Sequence, residues 1–189
     1  VDIAAVALLR VVQSNRNFSK VRLIVRGAPN GAGLKLRRKL SNLAEGQLDI
    51  VVREYSSDLT KLRRDIVTAT SMLMPSRSEG FGLVGLDAIA AATPVLVSNR
   101  SGLAELLWEH PKLASFPLVV ETSDDLNPKH AAKHWQRLIE FTLVDRAAAF
   151  ERAKHVRECL TAHLTWERAV ASLEAAWEPL FAGATAHHS

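Results

Sequence analysis

The chain has 189 residues, 48% hydrophobic and 23% charged, the balance of an ordinary one-domain globular protein. That excludes a disordered tail, a collagen-like rod and a coiled coil, and a domain of this size holds a core without a metal or disulfide staple. Lys and Arg number 24 against 20 Asp and Glu, a net charge of +4. The short basic clusters Arg37-Arg38-Lys39 and Lys61-Leu62-Arg63-Arg64 lack the long, aromatic-interleaved stripe of a nucleic-acid footprint, so no nucleic-acid partner is expected.

Residues 1–12 are apolar nearly all round, apart from Asp2 and Arg10, and predict a largely buried helix. Residues 21–25 are a short β-branched run ended by Gly27, Pro29 and Asn30, the first strand. A basic helix over 33–44 and a second strand over 48–52 follow. Asp58 is placed to cap a helix over 59–69, and 71–74 form a third strand stopped by Pro75. Then come a helix over 82–91, a strand over 94–97, a short helix over 102–107 and a fifth strand over 116–120. Beyond it only helices are expected, over 127–143, 145–161 and 166–181. In the last, Trp166, Val170, Leu173 and Trp177 make one apolar stripe, read as core packing.

Strands of four to six residues alternating with longer helices indicate βαβ units and a parallel sheet. The strands are uniformly apolar, as expected when helices cover both faces. The fold class is therefore α/β: one doubly wound, Rossmann-like parallel sheet with a helical C-terminal extension over 1–182, and a frayed tail over 183–189. Cys159 is the only cysteine, so no internal disulfide is possible. Sequons stand at Asn17 and Asn99, and no apolar run of 18 residues occurs, so a reducing, cytoplasmic setting without a membrane span is expected. The chain opens at Val1 rather than a methionine, which suggests a fragment of something longer.

Ligands of open α/β sheets bind beyond the carboxyl ends of strands, where loops feed helix N-termini. After the third strand runs Ser76-Arg77-Ser78-Glu79-Gly80-Phe81-Gly82-Leu83-Val84-Gly85-Leu86-Asp87. Gly80 and Gly82 let the backbone approach a ligand closely. The amides of Gly82, Leu83 and Val84 open the next helix without partners inside it, an anion site suited to a diphosphate. No Gly-Lys-Ser/Thr follows, so this is not a Walker loop. Carboxylates bracket it, Glu79 before the helix and Asp87 in its second turn. A carboxylate accepts paired hydrogen bonds from vicinal diols, so the pattern suggests a nucleotide-sugar. Taken singly, Glu79 also reads as a helix-start acid and Asp87 as a solvated helix residue.

This segment, with Thr93-Pro94-Val95-Leu96-Val97-Ser98 and Gly102-Leu103-Ala104-Glu105, resembles the C-terminal half of retaining glycosyltransferases of the GT-B fold, in the glycogen-synthase-like family four. That group carries two acidic residues separated by seven others, here Glu79 and Asp87. The resemblance implies that Glu79 contacts the donor hexose, that Gly80, Phe81, Gly82 and Leu83 serve sugar and diphosphate, and that Asp87 takes the ribose. It places the base near Arg53 and Glu54, and implies no obligatory metal and no further cofactor. The chain offers no Asp-x-Asp pair, and His130 and His134 lack a third ligand.

Four departures bear on transfer. The acceptor half, which would be an N-terminal partner domain, is missing. The family's Arg and Lys for the leaving diphosphate would fall before Val1, and Arg26, Arg77 and Arg100 are the substitutes on offer. The second acid is Asp87 rather than Glu. Ala92 stands where a Gly usually ends the helix and would cost on the order of 1 kcal/mol if left-handed. The expectation is a UDP-sugar-binding donor half, such as for UDP-glucose, with transfer depending on the missing domain. The alternatives are a structural or regulatory module of the same fold and, more weakly, a dinucleotide-binding oxidoreductase domain.

Overall fold

The structure is a computed structural model and describes residues 1–182; the tail expected over 183–189 lies outside the described residues. In chain order the elements are α1 (Asp2–Ser14), a 3-10 turn (Arg16–Phe18), β1 (Arg22–Ala28), α2 (Gly33–Leu43), β2 (Asp49–Glu54), α3 (Leu59–Thr68) and β3 (Met72–Met74). They continue with α4 (Leu83–Ala90), β4 (Val95–Ser98), α5 (Gly102–Glu109), β5 (Val119–Val120), α6 (Pro128–Val144), α7 (Arg146–His163) and α8 (Trp166–Ala182).

Local chemistry sets the helix starts. The Asp58 carboxylate accepts from the N–H groups of Thr60 and Lys61 at 3.0 and 3.3 Å, as the sequence predicts. Asn127 caps α6 ahead of Pro128, and Asp145 caps α7 through the Ala148 N–H at 2.9 Å. α1 owes its place to apolarity: Ile3 to Leu9 and Val11 are all buried.

Every strand pair is parallel. β1 pairs with β2 from Arg22↔Asp49 onward, β3 with β4 through Leu73↔Leu96, and β4 with β5 through Val97↔Val119. The strands form two sheets, β1-β2 and β3-β4-β5, rather than one continuous sheet. β4 is buried along its whole length and shows both faces covered. Its Leu96 joins a core with Leu23, Val25, Ile50, α1 and Trp135 of α6, while Val95 and Val97 join one with α4, α5 and α7. Successive side chains of a strand point to opposite faces, so this is the doubly wound α/β arrangement.

Two expectations change. The fifth strand shrinks to Val119–Val120 because Pro117 and two turn hydrogen bonds, Phe116 N–H to Leu113 and Leu118 N–H to Phe116, occupy the start of the expected run. The stripe on α8 is not core: Trp166 is 84% exposed, Val170 49%, Leu173 48% and Trp177 52%. Periodicity places these residues on one side of a helix, but α8 leaves the body at Leu164-Thr165 and, among the described residues, no element packs along it. Among the described residues no helix is long and apolar enough to cross a membrane.

Candidate functional site

Within each sheet the parallel strands end at the same edge, and the loop after β3 rises from the edge of its sheet. It does not hang free. The Glu79 N–H donates to the Arg100 carbonyl at 2.9 Å, Gly102 N–H to Gly80 at 2.9 Å and Leu103 N–H to Phe81 at 2.8 Å. Glu79 and Ser101 form a short parallel bridge. The loop is thus fastened along the entrance to α5, whose own start is capped by Ser101. A Cβ on Gly102 would lie 2.9 Å from the Gly80 carbonyl oxygen, so this close approach requires glycine.

Gly82 caps α4 in the left-handed region, with φ at +100°. Gly85 lies against β3 and α5: an added Cβ would come within 2.4 Å of Met74 Sδ and 2.5 Å of Leu103 Cδ2. Buried Gly85, Ala88 and Ile89 fix the inner face of α4, so Leu83, Val84 and Asp87 share the outer one at helical spacing. Leu83 is 68% exposed and Val84 50%, exposed apolar surface next to N–H groups that the first helical turn leaves without acceptors. Glu79, Gly80, Phe81 and Asp87 are also exposed. Glu79 takes a long hydrogen bond from Ser76 Oγ at 3.4 Å, and Asp87 holds no ion pair among the described residues. Six of the eight predicted site residues, Glu79, Gly80, Phe81, Leu83, Val84 and Asp87, are therefore exposed, the last three on one face of α4, and Gly82 is buried as the turn that starts that helix.

Arg53 lies apart, at the end of β2, and it is engaged. Asp65 of α3, only 12% exposed at its side chain, pairs with Arg53 and with Arg26, the latter at 2.5 Å. Glu54 accepts from the Gly31 N–H at 2.8 Å and ties down the loop after β1. The other two arginines offered as substitute cations are engaged as well. Arg77 makes a two-point contact with Asp2 of α1, at 3.0 and 3.2 Å, and donates to the carbonyls of Asp125 and Leu126. Arg100 pairs with Asp124 at 2.8 Å. Sequence reasoning missed Asp65 and Asp2, since their partners lie 12 to 75 residues away.

Burial pushes the Asp2 carboxyl up, but hydrogen bonds from Arg77 and the Ile3 N–H, with the charges nearby, outweigh it and hold the group below its ordinary value. The Asp125 carboxyl is also lowered, first by the Asn127 N–H and then by His130, 2.5 Å away.

Known proteins frame this geometry. A family model described as "GT4-conflict: Family 4 Glycosyltransferase in conflict systems" matches residues 1–173. The chain is 32% identical over 151 residues to a D-inositol 3-phosphate glycosyltransferase of Frankia alni, covering 78% of this chain and 37% of that protein. A protein of the same name from Gordonia bronchialis is 30% identical over 172 residues, 88% of this chain and 34% of its own length. A glycogen synthase of Mycobacterium tuberculosis is 33% identical over 110 residues, 58% of this chain and 24% of its own length. The chain spans from 24% to 37% of the length of these relatives. Its architecture is a Rossmann-like half of the GT-B fold, and the chain belongs to the family 4 glycosyltransferases of conflict systems.

Proposed function

We propose that this chain binds a nucleotide-sugar, a UDP-sugar such as UDP-glucose, as the donor half of a retaining glycosyltransferase. The observation that carries the reading is the fastened loop, with exposed carboxylates on either side of the amides that open α4. Glu79 accepts hydrogen bonds from adjacent hexose hydroxyls, and the backbone from Gly80 to Val84 follows the sugar and receives the diphosphate at the positive end of α4. Asp87 takes the ribose diol. Arg53 borders the base, and Asp65 holds its guanidinium in place. No metal or further cofactor is needed for this scheme, because amides and the helix dipole meet the phosphate charge. Glycosyl transfer requires an acceptor domain, which we place N-terminal to this half in a longer protein.

A second reading, binding without turnover or a scaffold role through protein contacts, is favoured by one observation. Arg26, Arg53, Arg77 and Arg100 each already hold a carboxylate. Charge developing on a leaving diphosphate is where preorganised cations give much of their rate effect. Those four would have to exchange partners to act there.

The test is the melting temperature of the chain with UDP, UDP-glucose, UDP-N-acetylglucosamine, GDP-mannose and NAD, each at millimolar excess. A ligand at 100 times its Kd stabilises by about 2.7 kcal/mol, a clear shift for a domain of this size. The expected result is a rise with a UDP-sugar that is reduced in Glu79→Ala and in Asp87→Ala, both of which keep the unliganded melting point. Equal affinity in both variants would end the site assignment, and no rise with any compound would favour the scaffold.

A further inference from the structure

Positive charge is unevenly placed along the chain. Residues 1–44 hold nine of the 24 Lys and Arg and a single acid, Asp2, whereas the remainder holds fifteen against nineteen Asp and Glu. The centre of that surplus is α2. Its inner face, with Leu36, Leu40 and Leu43, packs against β2 and α1. Its outer face presents Lys35, Arg37, Arg38 and Lys39, all exposed, and none of the four makes an ion pair among the described residues. Every other α-helix described carries at least one carboxylate, and α2 carries none. Leu34, 71% exposed, stands on the same outer arc, one helical turn before Arg38. α1 ends beside α2, where Gln13 donates to Glu45 at 3.4 Å, and the exposed Arg16 and Lys20 follow it.

This charge costs the helix stability. Lys35 falls in the first turn, where the macrodipole favours an anion, and no side chain caps that end. Lys35 also neighbours Arg38 and Lys39 at i+3 and i+4, where like charges repel. The cations therefore do not serve the fold, and a partner of opposite charge would offset their repulsion. The outer face has no aromatic side chain on which a nucleic-acid base could stack. Its exposed leucine gains nothing from phosphates or from an acidic peptide. Lys and Arg clustered on an amphipathic helix, with an apolar side chain among them, match a surface that is anionic at its headgroups and apolar just beneath.

We propose that the outer face of α2 is a peripheral docking surface for a bilayer rich in anionic phospholipids. Lys35, Arg37, Arg38 and Lys39 draw the chain to the headgroups, and Leu34 enters the boundary with the acyl chains. No span is involved, because the inner face of α2 stays packed on β2. The attraction is chiefly electrostatic, so it weakens as salt shortens the Debye length. This inference stands whether or not the glycine loop binds a nucleotide-sugar.

The experiment sediments the 189-residue chain with vesicles of phosphatidylcholine and phosphatidylglycerol, about three to one, and with vesicles of phosphatidylcholine alone, at low and at high salt. Arg38→Gln/Lys39→Gln is compared with Arg63→Gln/Arg64→Gln, which removes the same charge from two exposed α3 residues without ion pairs among the described residues. Melting temperatures check that every variant folds. The expected result is binding to the anionic vesicles at low salt, lost at high salt and absent with phosphatidylcholine alone. The α2 double variant lowers it about tenfold or more, the α3 double variant less than about twofold, and Leu34→Ser about threefold. The proposal is overturned if the anionic vesicles fail to bind the chain at low salt, or if both double variants lose affinity equally. It is equally overturned if Leu34→Ser binds as the parent does. Duplex DNA or polyglutamate of equal total charge stripping the chain from the vesicles would also overturn it, since another polyanion is then the better partner.

Discussion

Ala92 follows α4 with φ at +53°, and the N–H groups of Ala92 and Thr93 bond back to Ile89 and Ala88, each at 2.9 Å. That is a left-handed helix end of the kind glycine serves best. A Cβ there costs on the order of 1 kcal/mol, so Ala92→Gly is expected to raise the melting temperature by roughly 2–4 °C. Thermal unfolding checks it, and an unchanged or lower melting point would mean the site does not strain alanine. The Asp2–Arg77 pair gives a pH signature. The folded-state pKa of Asp2 is depressed, so the stability it contributes is present above the ordinary aspartate range and lost as pH falls through the folded value. The melting difference between the parent chain and Asp2→Asn should hold steady from pH 7 to about 5 and shrink below about pH 4. A difference that persists undiminished to pH 2 would exclude this carboxylate as its source. At this scale the sequence shows the glycines, the two acids and the awkward Ala92, because each works through its immediate neighbours. Whether Arg26, Arg53, Arg77 or Arg100 is free depends on residues distant in the chain and brought close only by folding.

Among the elements, legibility follows the same division. Strands β1 to β4 and the helices between them were legible because apolar runs, turn residues and caps such as Asp58 act locally. β5 was overextended, since apolar Phe116 and Leu118 look like strand whatever turns they make. The α8 stripe was legible as a face and not as a partnership. Its exposure means that α8 adds little to the stability of the body. A chain ending at Thr165 is accordingly expected to melt close to the parent temperature with the same cooperativity. A large drop, seen by circular dichroism, would show that the stripe is buried after all.

For the whole molecule, composition and element order were enough to give a doubly wound α/β domain, and the acid–glycine–acid segment was enough to give the family. The division into two sheets, β1-β2 and β3-β4-β5, was not legible, because each strand reads the same whether its neighbour is present or absent. The hydrogen bonds from Glu79, Gly102 and Leu103 stitch the glycine loop to the entrance of α5 before anything binds. The backbone freedom that a glycine-rich segment ordinarily gives up on binding has already been surrendered on folding. A nucleotide-sugar bound as proposed would find its donors standing in position, and the entropy lost would be chiefly its own.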